Sequence, residues 1–222
     1  MPPLTATDRA RITQAVTTAE TATDGEIVPI IAARSDSYAD VVLHWALLAM
    51  LATIAVAAAW PGWLDAVHVA MTGGWSSGVA PRLRILLFAV VLIFLLVTFA
   101  IGRSPLRYRL TPGATTARRV RRRAVDLFRV GVQTHTASRN GVLLYLSIAE
   151  RRAEIVADAA VHARVPAELW GDVLADLLAQ VRAGRTADGM VAAIAAIGTV
   201  LAAHFPRSGG DAPELPDRLI QL

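Results

Sequence analysis

The 222-residue sequence predicts an α/β sandwich, a small sheet covered by helices on both faces, whose chain is interrupted by a two-helix transmembrane hairpin. Three observations carry that expectation. Two stretches lack Asp, Glu, Arg and Lys altogether, residues 41–64 and residues 85–102, and each is long enough to cross a bilayer. Two apolar runs read as strands, 26–33, which is rich in β-branched residues, and 142–149, which is apolar on both faces. Amphipathic stripes before and after the apolar stretches read as helices. Composition agrees, because a chain that is 55% apolar and 18% charged, with mean hydropathy +0.47, has the apolar surface that disordered chains lack. With no Cys in the sequence, disulfides, thiolate metal sites and a Cys nucleophile are excluded.

Residues 1–38 form the first part of the domain. Positions 4–22 place Ile12, Val16 and Ala19 on one helical face, and Thr5 and Asp8 are spaced as a capping box. Asp24-Gly25 then turns the chain into the strand at 26–33, where Pro29 removes a ladder donor and so places the strand at a sheet edge. The hairpin occupies 41–101, with spans at about 41–60 and 85–101 and a loop between them. At 1.5 Å per residue, the second uncharged stretch reaches roughly 27 Å, close to the thickness of a hydrocarbon core. Phe88, Leu92, Ile93, Phe94 and Leu96 face every side of that helix, an arrangement suited to lipid.

The remainder of the domain spans 111–205. Val120, Ala124, Leu127 and Phe128 form one stripe of a helix at 115–132. Asn140-Gly141 introduces the strand at 142–149, and the short Glu150-Arg151-Arg152 connection to a second strand at 153–160 makes the pair antiparallel. Residues 142–149 are apolar on both faces, so helices must flank the sheet on both sides. A helix at 166–181 turns Leu169, Val173, Leu174, Leu177 and Leu178 inward. The last helix, Thr186–His204, has an uncharged core at 189–203 that is short for a span and suits burial. Residues 206–222, rich in Pro and Gly, form an extended tail.

The net charge of +4 is distributed unevenly. Residues 102–139 hold ten Arg against one acid, while the connection at 61–84 carries only Arg82 and Arg84. By the positive-inside rule both termini are expected on the cytoplasmic side and the connection outside. Trp60, Trp63 and Trp75 then fall near the outer interface and Trp45 near the inner one. Arg118, Arg119, Arg121, Arg122 and Arg123 are expected to contact the anionic inner leaflet. Nucleic acid is the rival partner for such a cluster, but Tyr108 is the one stacking aromatic nearby, so the expected partners are the bilayer and other membrane proteins, not nucleic acid.

At this point the residues resemble a family. Asn140-Gly141-Val142-Leu143-Leu144-Tyr145-Leu146-Ser147, continued by Ala149-Glu150-Arg151-Arg152-Ala153-Glu154-Ile155-Val156-Ala157-Asp158, is similar to the central hairpin of TPM domains. Thr23-Asp24-Gly25-Glu26-Ile27-Val28 resembles that family's first strand. Trp170, Asp188-Gly189, Phe205-Pro206 and Glu214-Leu215-Pro216-Asp217 resemble features of its later helices and of the tail in its bacterial integral-membrane subgroup. The resemblance implies a Rossmann-like α/β/α domain with a small mixed sheet and a transmembrane hairpin inserted after the first strand. It also implies either an accessory role or the phosphatase activity associated with some TPM domains. Many relatives carry a Gly-rich loop after the second hairpin strand, where this chain has Asp158-Ala159-Ala160-Val161-His162-Ala163.

Candidate chemistry is sparse. Gly74-Trp75-Ser76-Ser77-Gly78 matches the G-x-S-x-G pattern, yet it lies between two spans and lacks the strand-turn-helix setting that makes a nucleophile elbow. His44, His68, His135, His162 and His204 show no paired metal-ligand spacing, so no metal is expected. Glu168, Asp172 and Asp176 recur at i, i+4 and i+8, which reads as the solvated face of a helix. Asp24, Glu26, Asp36, Asp40 and Asp158 lie near strand ends, where open α/β sheets place ligands, and Asp158 is the catalytic candidate among them. The expected function is therefore a membrane-anchored binding or accessory module for membrane protein complexes, with no cofactor assigned. The alternative is a metal-dependent phosphomonoesterase.

Overall fold

The computed structural model describes residues 4–74, 78–131, 140–208 and 219–221. The chain divides into two compact units: Met1–Asp36 with Gly113–Leu222, and Ser37–Pro112.

The first unit is an α/β/α sandwich. It contains α1 (Ala6–Glu20), β1 (Glu26–Ala32), α6 (Gly113–Gly131), β2 (Gly141–Ser147), β3 (Arg152–Ala157), α7 (Ala159–Arg164), α8 (Ala167–Arg182), α9 (Thr186–His204) and β4 (Ile220–Gln221). The sheet is mixed, in the order β3-β2-β1-β4, with β1 parallel to β2 and β4 and β2 antiparallel to β3. Because successive strand residues face opposite ways, β2 splits its apolar side chains between two cores. Val142, Leu144 and Leu146 join Ile12, Val16, Leu177, Met190, Ile194, Ile197 and Leu201 from α1, α8 and α9. Leu143 and Tyr145 join Val120, Ala124 and Phe128 from α6 on the opposite face. The expected fold class is observed.

Local signals place the ends of the elements. Thr5 and Asp8 form the reciprocal capping box that starts α1, with Asp8 N–H donating to Thr5 Oγ1 at 3.1 Å and Thr5 N–H donating to Asp8 Oδ2 at 3.0 Å. The Thr5 hydroxyl and backbone amide hold the Asp8 carboxyl below the usual range. α9 packs on α1 through Gly198, where an added Cβ would stand 2.6 Å from the Cβ of Ala19.

In this unit four expectations change. β1 is not an edge strand, since β4 pairs with it at Ile30 and Ile31; among the described residues no β4 residue pairs beside Pro29, so the missing donor is tolerated there. The second hairpin strand ends at Ala157 rather than 160, because Asp158 starts the short helix α7. In α8, Trp170 and Val181 are buried and Leu169 is 39% exposed, which rotates the inward face from the one expected. The tail carries the two-residue strand β4, too short to leave a pattern.

The second unit contains α2 (Ala39–Ala59), α3 (Gly62–Thr72), α4 (Val79–Arg103) and α5 (Leu106–Arg109). α2 packs along α4. In place of the expected loop stands α3, which buries Leu64 and ends at Gly73, whose φ of 67° is the left-handed conformation of a helix C-terminus. Arg82 donates to Asp65 at 2.5 Å across this connection. Outside their mutual contact, α2 and α4 are sheathed in exposed apolar side chains, among them Leu51 at 63% and Phe88 at 70% exposure. Among the described residues, α2, α4 and α9 are each long and apolar enough to cross a membrane, and of the three α9 is much the most buried within the protein.

Candidate functional site

Parallel strands of an open sheet present ligands beyond their carboxyl ends, so the ends of β1 and β2 are the first place to look. β1 pairs with β2 from Glu26 opposite Gly141 to Ala32 opposite Ser147. Beyond Ala32 the chain runs through Ser35 and Asp36, and polar side chains converge there. Ser35 Oγ and Tyr145 Oη are 3.0 Å apart, and the Ser35 N–H donates to Glu150 Oε1 at 2.9 Å. The hydroxyl of the fully buried Ser147 donates to Glu150 Oε2. Arg119 of α6 donates to Asp36 Oδ2 at 2.7 Å. Burial pushes the Tyr145 hydroxyl above its ordinary pKa; the hydrogen bond to Ser35 opposes that shift. Chemically the cluster is a fastening. The Glu150 carboxylate is shared between two donors, and the chain leaving β1 is gripped by the β2–β3 turn and by α6.

That turn carries a special backbone. Arg151 adopts φ 51°, the left-handed region that favours Gly.

Asp158 lies at the other end of the sheet. The residue is 5% exposed, and its Oδ2 accepts the Gly141 N–H at 3.0 Å, tying the end of β3 to the start of β2. Asp24 is nearby in the chain path: it accepts from the Ser208 N–H at 3.0 Å and from the Ser208 hydroxyl at 2.5 Å. The Ser208 hydroxyl, then its amide, hold the Asp24 carboxyl below the usual range. This contact is therefore present at neutral pH and is lost as pH falls through that lowered value. Asp158 and Asp36 flank opposite ends of a seven-residue strand pair, about 20 Å apart at 3.3 Å per residue, so they share no site. Asp40 belongs to the second unit, where its carbonyl meets His44 Nδ1 at 2.5 Å. Among the described residues, no group of three His, Cys, Asp or Glu side chains could hold a metal ion.

The five arginines of α6 do different things. Thr116, Val120, Ala124 and Phe128 face the core. On one flank Arg119 grips Asp36, and on the other Arg121 donates to Glu154 at 3.2 Å. Arg118, Arg122 and Arg123 are exposed. Sequence reasoning grouped all five and missed Arg129, which is exposed on the same helix.

The remaining motifs stay apart. Of Gly74-Trp75-Ser76-Ser77-Gly78, positions 75–77 lie outside the described residues, as do His135 and residues 214–217. Glu168, Asp172 and Asp176 are all exposed on α8. Phe205 and Pro206 meet the start of β1: Thr23 pairs with Pro206, and the Thr23 hydroxyl donates to the Phe205 carbonyl at 2.6 Å. Ser35, Tyr145, Ser147 and Glu150 were not singled out from the sequence. The usable signal was the run of polar residues closing two neighbouring strands.

Residues 111–200 match the family described as the TPM domain. No curated protein matches the chain. Among solved structures, the BA42 protein from the psychrophilic bacterium Bizionia argentinensis, determined by NMR, is similar at 18% identity and a TM-score of 0.57. The similarity covers 100% of this chain and 97% of that one, and it supports the fold.

Proposed function

We propose, from the premise that the chain carries a TPM domain at residues 111–200, that it is a membrane-anchored module which binds or assists membrane protein complexes. One observation supports this reading above the others. Between Asp36 and Gly113, both in the α/β unit, the chain carries two apolar helices of 21 and 25 residues whose outward side chains are mostly exposed. Leaving one large apolar side chain in water costs roughly 1.5–3 kcal/mol, so a sheath of them calls for lipid. A domain fastened to both ends of a membrane hairpin has little freedom to pursue soluble substrates. It is suited to neighbours embedded in the same bilayer.

The arginine bias after α4 argues for both termini on the cytoplasmic side of a bacterial plasma membrane. Reporter fusions after Arg34, after Gly74 and at the C-terminus are expected to read inside, outside and inside. An external signal from either terminus overturns that topology. Co-purification from mild detergent is expected to bring down other membrane proteins. Against the phosphomonoesterase alternative stands the engagement of Asp158 with the Gly141 amide. Metal-dependent hydrolysis of phosphomonoesters by the purified protein, abolished by Asp158→Asn, would overturn the accessory reading; no such activity is expected.

A further inference from the structure

We propose, resting on the membrane reading above, that the outer ridge of α6, formed by Arg118, Arg122 and Arg129, binds the phosphate groups of anionic phospholipids in the leaflet that the protein's own hairpin enters. The ridge follows from helix geometry. With Thr116, Val120, Ala124 and Phe128 buried, a rotation of 100° per residue puts Arg122 opposite the core and Arg118 and Arg129 within about 40° of it. All three are exposed, and among the described residues Arg122 and Arg129 have no ion-pair partner. Arg118 reaches Thr115 Oγ1 at 3.3 Å, a contact to its own helix that leaves most of the guanidinium open. Asp126 is the one acid on the outer part of the helix, a single carboxylate beside three guanidiniums.

Two of the other arginines are committed within the domain, Arg119 to Asp36 and Arg121 to Glu154, and Arg123, though exposed, stands about 100° around the helix from Arg122. The ridge is thus charge that the fold does not use. Planar guanidiniums match phosphate oxygens, and no aromatic ring interleaves them to stack a base. Chain length supplies the reach. Asp36 precedes the first residue of α2 by three positions, at most about 11 Å of chain, and ten positions separate Arg103 from Gly113.

The test uses the full chain in neutral detergent, titrated with phosphatidylglycerol, phosphatidylcholine and inorganic phosphate, with bound lipid read by native mass spectrometry. Phosphatidylglycerol is expected to bind more tightly than phosphatidylcholine, and less tightly as salt is raised. Each ridge arginine is expected to contribute about fivefold, so Arg118→Gln, Arg122→Gln and Arg129→Gln together weaken phosphatidylglycerol on the order of a hundredfold. Their thermal midpoint should not move. The paired variant Arg119→Gln, Arg121→Gln is expected to do the reverse, lowering the midpoint while keeping most of the lipid preference. The proposal is overturned if the ridge variant binds phosphatidylglycerol like the parent, or if inorganic phosphate displaces the lipid at equal concentration. A chain that resists alkaline carbonate yet shows no preference for anionic lipid refutes the ridge alone; a chain released by carbonate refutes the membrane reading.

Discussion

Arg151 sits in a left-handed conformation in the β2–β3 turn with its side chain exposed. For an L residue that conformation costs roughly 1–2 kcal/mol, and Gly escapes the cost while losing somewhat more chain entropy on folding. Arg151→Gly should therefore stabilise the protein by about 0.5–1 kcal/mol, read as a higher thermal midpoint. Glu150, one position earlier, works in the opposite sense. Its carboxylate accepts from the Ser35 amide and the Ser147 hydroxyl, so Glu150→Ala strands partly buried donors and should destabilise by about 1–3 kcal/mol. An unchanged midpoint in that variant would show that the cluster does not fasten the chain leaving β1. These two residues also mark what can be read at this scale. The Thr5–Asp8 box is legible because its partners are three positions apart, whereas Glu150 meets Ser35 across 115 positions, a pairing that only the parallel register of β1 and β2 creates.

Helices were easier to read than strands, for a physical reason. A helix writes its buried face every three to four residues within one segment, so the bounds of α9 and the buried stripe of α6 follow from local spacing. A strand's place in a sheet depends on partners far away. Hence Pro29 pointed to an edge while β4, a two-residue element near the end of the chain, makes β1 interior. β3 likewise stops where Asp158 begins α7 and its side chain reaches back to the distant Gly141 amide, with nothing in the apolar run around it to announce the stop. Glycines test helix packing directly. At Gly198 a Cβ would fall 2.6 Å from Ala19, so Gly198→Val should overpack the α1–α9 contact and cost about 1–3 kcal/mol. Gly171 of α8 has nothing within 4 Å of the corresponding position, and Gly171→Ala should stabilise by about 0.5–1 kcal/mol. Equal effects of the two changes in chemical denaturation would contradict this account of where the helices touch.

For the whole molecule, the two uncharged stretches were the plainest feature of the sequence, because crossing a bilayer demands a length and an apolarity that few water-soluble helices combine. α4 extends further than its uncharged residues, beginning at Val79 and taking in Arg82 and Arg84, whereas α2 ends at Ala59, before the first uncharged stretch does. The helix between them was not foreseen, since α3 carries Asp65 and His68 among its apolar residues and is shorter than a span. The candidate site was less legible than the fold: the sequence offered scattered acids and a block of arginines, and only folding sorts Arg119 and Arg121 into the structure and leaves Arg118, Arg122 and Arg129 facing outward. All of the functional reading depends on lipid covering α2 and α4. Alkaline carbonate extraction of membranes from cells producing the full chain tests this directly. The protein is expected to remain in the membrane pellet, and its recovery in the carbonate supernatant as a folded, soluble chain would contradict the account.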